Sequence, residues 1–563
     1  MKQSFCKNLG VALMAVLALA LTTSCDQITA FFDNPVGAYL EVSPDSLTLK
    51  VGETQKLQVS TISDQPVINY ASSDESIATV DETGLVTAVA GGEAIITVSV
   101  AATEVYAAAT KQVSVKVVKE AVDLATLTAD YTVQDGDVLT GTLDGNYKIT
   151  IADGATIALK DLTISGTHVN EDAYKHAGIT LEGDATIILK GENTVKGFYE
   201  LYPGIYVPEG STLTIQGDGS LSASSNGWAA GIGGGYYIAC GNIVIEGGTI
   251  EATGGKTGAG IGGGYGRSCG NISITGGNVT ATGGNNAAGI GNGSANGGNT
   301  ISGNITISGG TVTATGGKYG AGIGSSYARA GYTNSCGNIT ISGGTVDAIG
   351  GDYGAGIGTG AANGTTKCGD ITITTGVTRV TATKGSEASN SIGKGSGSKA
   401  SFGTVTIGGV EKGGISLSAS PYTYDPSITY EITGSYAVEE YNASYGYVNG
   451  TYEMTVTFDE NNPDKVKIYN LWAGDYTLEG TYDAATNTIS VATNKSISNY
   501  PGYGEVVGRG VNDAITAYVD TITFKFDPHV GVMTSSNIEA YLPAITYHFG
   551  FFYVIMTHKQ NAD

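Results

Sequence analysis

Ala230-Gly231-Ile232-Gly233-Gly234 returns as Ala259-Gly260-Ile261-Gly262-Gly263, Ala288-Gly289-Ile290-Gly291-Asn292, Ala321-Gly322-Ile323-Gly324-Ser325 and Ala355-Gly356-Ile357-Gly358-Thr359, with a degenerate copy at Ser391-Ile392-Gly393. The isoleucines are 29, 29, 33, 34 and 35 residues apart. Self-similarity at such a period marks a stack of like units. Between markers each copy carries a strand such as Asn304-Ile305-Thr306-Ile307, then Gly309-Gly310, then Thr311-Val312-Thr313-Ala314, then Gly316-Gly317. Apolar residues alternate within each strand, so they share one face. One coil cannot bury that face alone. Coils stacked about 4.8 Å apart place Ile on Ile and Val on Val and close a continuous core. With the marker as third strand and glycines at the corners, each copy is expected to be one coil of a parallel β-helix.

Outward from this stretch, residues 131–414 form the expected β-helix, with 29–35-residue repeats at 222–400. Irregular first coils hold strands after turns at Ala152–Leu159, Gly183–Leu189 and Gly210–Ile215. Between 415 and 563 the glycine corners vanish and aromatics rise. Runs such as Thr451–Phe458, Val466–Trp472, Thr521–Phe526 and Ile545–Phe549 alternate like meander strands. Residues 38–118 form a third unit, with alternation in Leu47–Val51 and Ala94–Val98, and 119–130 is expected to be a linker. The class is all-β: a sandwich, a β-helix and a small antiparallel barrel.

Lys2 and Lys7 precede an apolar run from Gly10 to Leu21, too short to span a bilayer. Residues 1–24 therefore form the expected signal peptide. Leu21-Thr22-Thr23-Ser24-Cys25-Asp26 resembles the bacterial lipobox, with Thr22 where Leu is usual. This implies a lipid on Cys25, a tether over 25–37, and a membrane reached through the anchor only. The expected location is the cell envelope, at the outer-membrane surface. The net charge is −24, from 28 Lys+Arg against 52 Asp+Glu. That disfavours nucleic acid, whose phosphates need cations.

Tyr70–Asp74, Ile77–Val80 and Gly84–Ala88 resemble the bacterial Ig-like group 2 domain, with Tyr70 in place of the usual Trp. The resemblance covers about 80 residues and implies a spacer or adhesive module without catalytic residues. Right-handed coiling is implied by resemblance to known β-helices. The stretch from Val466 to Val491 resembles a small lipocalin-like barrel. The whole resembles surface lipoproteins carrying a β-helix of carbohydrate-binding type.

Many parallel β-helices cleave glycosidic bonds, which takes paired carboxylates. Residues 222–400 hold only Glu246, Glu251, Asp347, Asp352, Asp370 and Glu387, and no His. Glu251 and Asp347 are equivalent but three coils apart, roughly 14 Å. No catalytic residue, metal site or cofactor is assigned, and the chain is expected not to be an enzyme. A polar cluster at Glu171, Asp172, Lys175 and His176 is expected to be a solvated loop.

Cys240, Cys269, Cys336 and Cys368 occupy one coil position, with Ser302 in the skipped coil. Two adjacent-coil disulfides and stacked free thiols both remain open. Asn242, Asn271, Asn304 and Asn338, closed by Asp370, read as a structural ladder whose amides donate to the next coil. Flanking the marker are Trp228, Tyr319 and Tyr353 on one side and Tyr236, Tyr265 and Tyr327 on the other. These rings are expected to point outward. Rings beside hydroxyls and amides suit sugars, so a polysaccharide or glycoconjugate is the expected partner. The expected function is non-catalytic glycan binding or adhesion. A polysaccharide lyase or glycoside hydrolase acting through the irregular coils, and a purely structural spacer, are the alternatives.

Overall fold

The computed structural model describes residues 39–559 except 63–66, 104, 167–174, 413–416 and 444–447. The expected signal peptide, Cys25, the tether, Glu171 and Asp172 lie outside the described residues.

The chain divides into two compact units, the second beginning at Val122. In the first, Ser46–Lys50 runs parallel to Ala109–Val118, which pairs antiparallel with Gly92–Val100, and that with Ile68–Ser72. Thr54–Lys56, Leu85–Ala88 and Ala78–Val80 form a second sheet. Leu47, Leu49, Ile96, Val98, Val113 and Val115 from one sheet share a buried cluster with Ala78, Val86 and Ala88 from the other. Tyr70 packs against that cluster. A Cβ at Gly84, which has φ +78°, would stand 2.8 Å from the Tyr70 ring. The ring thus fills its place only because position 84 has no side chain.

The second unit begins with a parallel β-solenoid of about eight turns. Its first ladder runs through Asn242–Ile245, Ile272–Ile274, Ile305–Ile307, Ile339–Ile341 and Ile371–Ile373. The second runs through Thr249–Thr253, Asn278–Thr282, Thr311–Thr315, Thr345–Ile349 and Arg379–Thr383. The markers supply the last six strands of a ten-stranded third ladder, in which Ile232, Ile261, Ile290, Ile323, Ile357 and Ile392 are successive partners. All six are 0% exposed, as expected of a shared lining. Each marker strand is only two residues long. The Ala288 N–H donates to the Asn292 carbonyl, closing the marker as a tight arch, and every full marker repeats this bond.

A fourth ladder, not foreseen from sequence, links Thr300–Ile301, Thr333–Ser335, Thr365–Lys367 and Ala400–Ser401. Its inward row is polar. The Asn292 amide donates to Asn334 Oδ1 at 2.7 Å, and Asn334 donates to the Gly293 carbonyl and Ser326 Oγ. These bonds satisfy Asn334, the Asn292 amide and Ser326 Oγ, whereas Asn292 Oδ1, Thr300 Oγ1 and Thr366 Oγ1 are buried without a hydrogen-bond partner.

Both expected boundaries of the solenoid shift. Val122–Asp123 pairs in parallel with Leu139–Thr140, and Leu124 is 1% exposed in the solenoid core. The expected linker therefore supplies the first coil's cap. At the other end Tyr422–Tyr424 pairs antiparallel with Val380–Ala382, so the solenoid sheet extends past 414.

The chain ends in a closed eight-strand antiparallel barrel. Gly434–Asn442, Val448–Asp459, Asn462–Tyr469, Thr477–Asp483, Thr488–Ala492, Thr521–Asp527, Val532–Ser535 and Tyr547–His558 follow one another around it, and the last pairs with the first. Lys495–Tyr500, Gly504–Val511 and Asn537–Leu542 extend the fifth to seventh strands past a break and pair in the same order. The interior is one continuous buried cluster that includes Tyr436, Met454, Phe524, Ile538 and Val554. Tyr441, Val530, Val532 and Ile555 instead join the solenoid core, so the barrel covers the last coil. Lys412 and Asp527 pair across this joint at 2.6 Å, each side chain 12% exposed.

Candidate functional site: the ring-bearing edge of the solenoid

The two ring rows flanking the marker form one edge. The Tyr265 N–H donates to the Trp228 carbonyl, Ser294 to Thr257, Tyr327 to Asn286 and Ala361 to Tyr319. The position after the marker is thus bonded to the position before the marker one coil earlier, which fixes the rows side by side.

On this edge the rings gather into two clusters. In the first, Tyr236 stacks on Tyr265 with centroids 4.9 Å apart and planes 22° apart. Trp228 meets Tyr265 edge-on at 5.7 Å and Tyr236 at 5.9 Å. Tyr237, which the repeat pattern missed because no other coil carries it, meets Tyr265 edge-on at 5.2 Å. It is the most open ring of the four, at 38%. Lys256 lies 5.9 Å over Trp228 and Arg267 lies 5.5 Å over Tyr237. In the second cluster Tyr319 stacks on Tyr353 at 5.0 Å and 13°, and Tyr327 tilts against Tyr319 at 5.5 Å. Lys318 reaches over both stacked rings, and Asn363 donates to the Tyr327 hydroxyl at 3.1 Å.

The expectation of outward rings needs correction at Tyr265. It is 8% exposed and forms the floor under Trp228, Tyr236 and Tyr237. Its phenol is pushed up to about 12, first by burial and then by Tyr237 and Tyr236. The cause is the coil spacing: rings on adjacent coils stand about 4.8 Å apart and cover each other's faces. The first cluster is therefore a platform with a floor, and its open parts are ring edges, hydroxyls and the Tyr237 ring.

The second ladder itself, ahead of its glycine corner, presents an outward row of four hydroxyls and two carboxylates. The outward positions of that ladder run Ser222, Glu251, Thr280, Thr313, Asp347, Thr381 in register. Two threonines therefore separate Glu251 from Asp347, which keeps these carboxylates on distinct coils. His176 is 8% exposed and packs on Phe198, with its ring nitrogens 2.9 Å from the Ala177 carbonyl and 3.1 Å from the Asn146 carbonyl. It is a buried structural side chain, not part of a solvated loop.

The cysteine row divides. Cys240 and Cys269 form a disulfide, with Cα atoms 4.4 Å apart. Cys336 and Cys368 keep free thiols whose sulfurs are 3.0 Å apart. The Cys336 contact, together with burial, holds the Cys368 thiol well up, so it stays protonated.

The asparagine ladder runs opposite to expectation. Each Oδ1 accepts the next coil's backbone N–H: Asn242 from Asn271, Asn271 from Asn304, Asn304 from Asn338, Asn338 from Asp370, at 2.8–2.9 Å. Asp370 then accepts from Thr404 at 2.8 Å. An acceptor is all the position needs, which is why Asp closes the row. The irregular coils use the same device, Asp153 accepting from Asp184 and Asp184 from Thr212.

Residues 38–113 match the bacterial Ig-like domain (group 2). Downstream of that Ig-like domain, the beta helix repeat family matches five segments: 213–236, 243–265, 272–294, 305–327 and 339–361. Every matched segment ends on the edge row just described, at Tyr236, Tyr265, Ser294, Tyr327 and Ala361. The repeat unit and the ring-bearing edge are thus in register. No curated protein matches the chain.

Proposed function

We propose that this protein binds glycan, without catalysis, along the ring-bearing edge of its solenoid, and that a lipid on Cys25 holds it at the outer surface of the cell envelope. An Ig-like domain followed by β-helix repeats fits a surface or adhesion-type protein. The observation that carries the glycan reading is the pair of ring clusters on one edge. Tyr265 and Tyr319 are two coils apart, roughly 10 Å of rise, so the clusters can engage separate residues of one extended polymer. Ring edges and exposed hydroxyls supply apolar contact and hydrogen bonds together, which is what a sugar presents. Lys256, Arg267 and Lys318 add positive charge beside the rings and favour a polymer bearing carboxylate or sulfate groups. The separation of Glu251 from Asp347 supports a binding rather than a hydrolytic role.

Replacing Trp228 and Tyr237, or Tyr319 and Tyr353, with Ala is expected to weaken retention of the full chain on acidic polysaccharide several-fold, with the thermal midpoint little changed. Affinity electrophoresis against a polysaccharide panel reads this. Unchanged retention in both double variants removes the rings from the proposal. Binding to no polysaccharide favours a spacer, and release of reducing or unsaturated sugars makes the protein an enzyme.

A further inference from the structure

A third ring cluster lies at one end of the barrel, where the connections 470–476, 501–503 and 543–546 gather. Tyr500 touches Tyr503 at 5.8 Å and Phe549 at 5.5 Å, and Phe549 touches Tyr547 at 5.0 Å and Trp472 at 5.4 Å. Tyr500, Tyr503 and Tyr547 are 45%, 50% and 53% exposed. A contiguous exposed ring patch of this kind marks an interaction site more often than an idle surface.

Behind the rings stands a buried carboxyl. Glu440 follows Tyr436 and Val438 on the inward face of its strand and is 7% exposed. Asn449 donates to its Oε1 at 3.4 Å, and the Trp472 side chain lies beside it. Among the described residues no Lys, Arg or His forms an ion pair with it. Burial holds its pKa above the usual carboxylate range, against the opposite pull of Asn449 and Trp472.

The loop that presents Trp472 is held in costly backbone. Asn470, Trp472, Ala473 and Asp475 all have φ between 49° and 71°, and none is Gly. Such strain persists where surrounding contacts over-determine it and gathers at ligand sites. Here Leu471 is fully buried in the barrel core, and the Trp472 N–H donates to the Tyr452 hydroxyl at 3.0 Å. These contacts fix the indole at the mouth, between the open rings and the carboxyl.

We infer that this mouth binds a small organic cation, an ammonium or quaternary ammonium group. Ring faces attract such cations through their quadrupoles, most strongly where water is excluded. A buried carboxylate without a cationic partner adds Coulomb attraction in a poorly screened place. The surroundings agree in sign: residues 415–563 hold seventeen Asp and Glu against six Lys and Arg. That excess opposes an anionic membrane as the occupant. The site is separate from the solenoid edge, and neither depends on the other.

The chain has two tryptophans, so Trp228→Phe leaves Trp472 as the sole indole reporter. In that background the full chain is titrated with choline and, separately, with its neutral isostere 3,3-dimethylbutan-1-ol. A saturable Trp472 fluorescence change is expected with choline, at least tenfold tighter than with the isostere. The affinity should fall as acid protonates Glu440. Glu440→Gln should weaken choline at least fivefold and leave the isostere unaffected. Equal affinity for the two ligands, no saturable change with either, or an unchanged choline affinity in a folded Glu440→Gln protein overturns the inference. The comparison of ligands on the unsubstituted Glu440 stands even if the variant fails to fold. Binding of anionic vesicles through this face without choline binding also overturns it.

Discussion

Asn304 has one task, and its geometry defines which substitutions it tolerates. Its Oδ1 accepts the Asn338 N–H at 2.9 Å across the gap between coils, while its own N–H is held by Asn271. Removing an acceptor at a partly solvated corner costs about 1 kcal/mol, because water replaces part of the lost bond. Asn304→Ala is therefore expected to lower stability by about that amount in chemical denaturation, and Asn304→Asp to lower it far less, since Asp370 already fills the same role next to Thr404. Equal losses in the two variants would show that the amide's donor side matters after all. The row itself was legible from the recurring Gly-Asn. Its polarity was not, because a side-chain amide both donates and accepts until a neighbour's N–H is placed beside it.

At the scale of the element, the marker arch needs both of its glycines. Gly291 has φ +132°, and a Cβ there would lie 2.1 Å from the Gly324 carbonyl oxygen of the next coil. Gly289, before the isoleucine, would put a Cβ 2.7 Å from Thr315 N. The arches pass too close for a side chain at either position, and at Gly291 the conformation excludes one as well. Gly291→Ala should cost about 2–4 kcal/mol, from backbone strain with overpacking. Its unfolding transition should broaden as coils 290 and 323 uncouple, since each repeat holds only its neighbours. A circular-dichroism melt unchanged in midpoint and width would refute this. The coil was legible because alternation and glycine corners are local signals. The fourth ladder was missed because its two- and three-residue strands, such as Thr300–Ile301, carry no alternation and exist only through pairing with the next coil.

Taken whole, the second unit is a stack whose two ends had to be closed. Leu124 closes one, inside a segment whose charged start reads as a linker. The barrel closes the other through Tyr441, Val530, Val532 and Ile555. The Lys412–Asp527 pair lies in that joint with little solvent. Breaking a buried pair from one side leaves a charge without compensation and costs about 3–5 kcal/mol. Asp527→Asn is thus expected to lower the thermal midpoint clearly and to be repaired in part by adding Lys412→Met. A double variant no better than the single one would place the loss elsewhere.

By itself the sequence determined the all-β class, the order of Ig-like domain, solenoid and barrel, and the lining of the solenoid. Each rests on period-two alternation, glycine corners or a fixed repeat, which act between residues near in the chain. Tertiary structure alone decided that Tyr265 is a floor and not a face, that Cys240 and Cys269 are bonded while Cys336 and Cys368 are not, and that Gly434–Asn442 meets Tyr547–His558 to close the barrel. Those outcomes depend on what lies one coil or a hundred residues away, and distance in space is set only when the chain has packed.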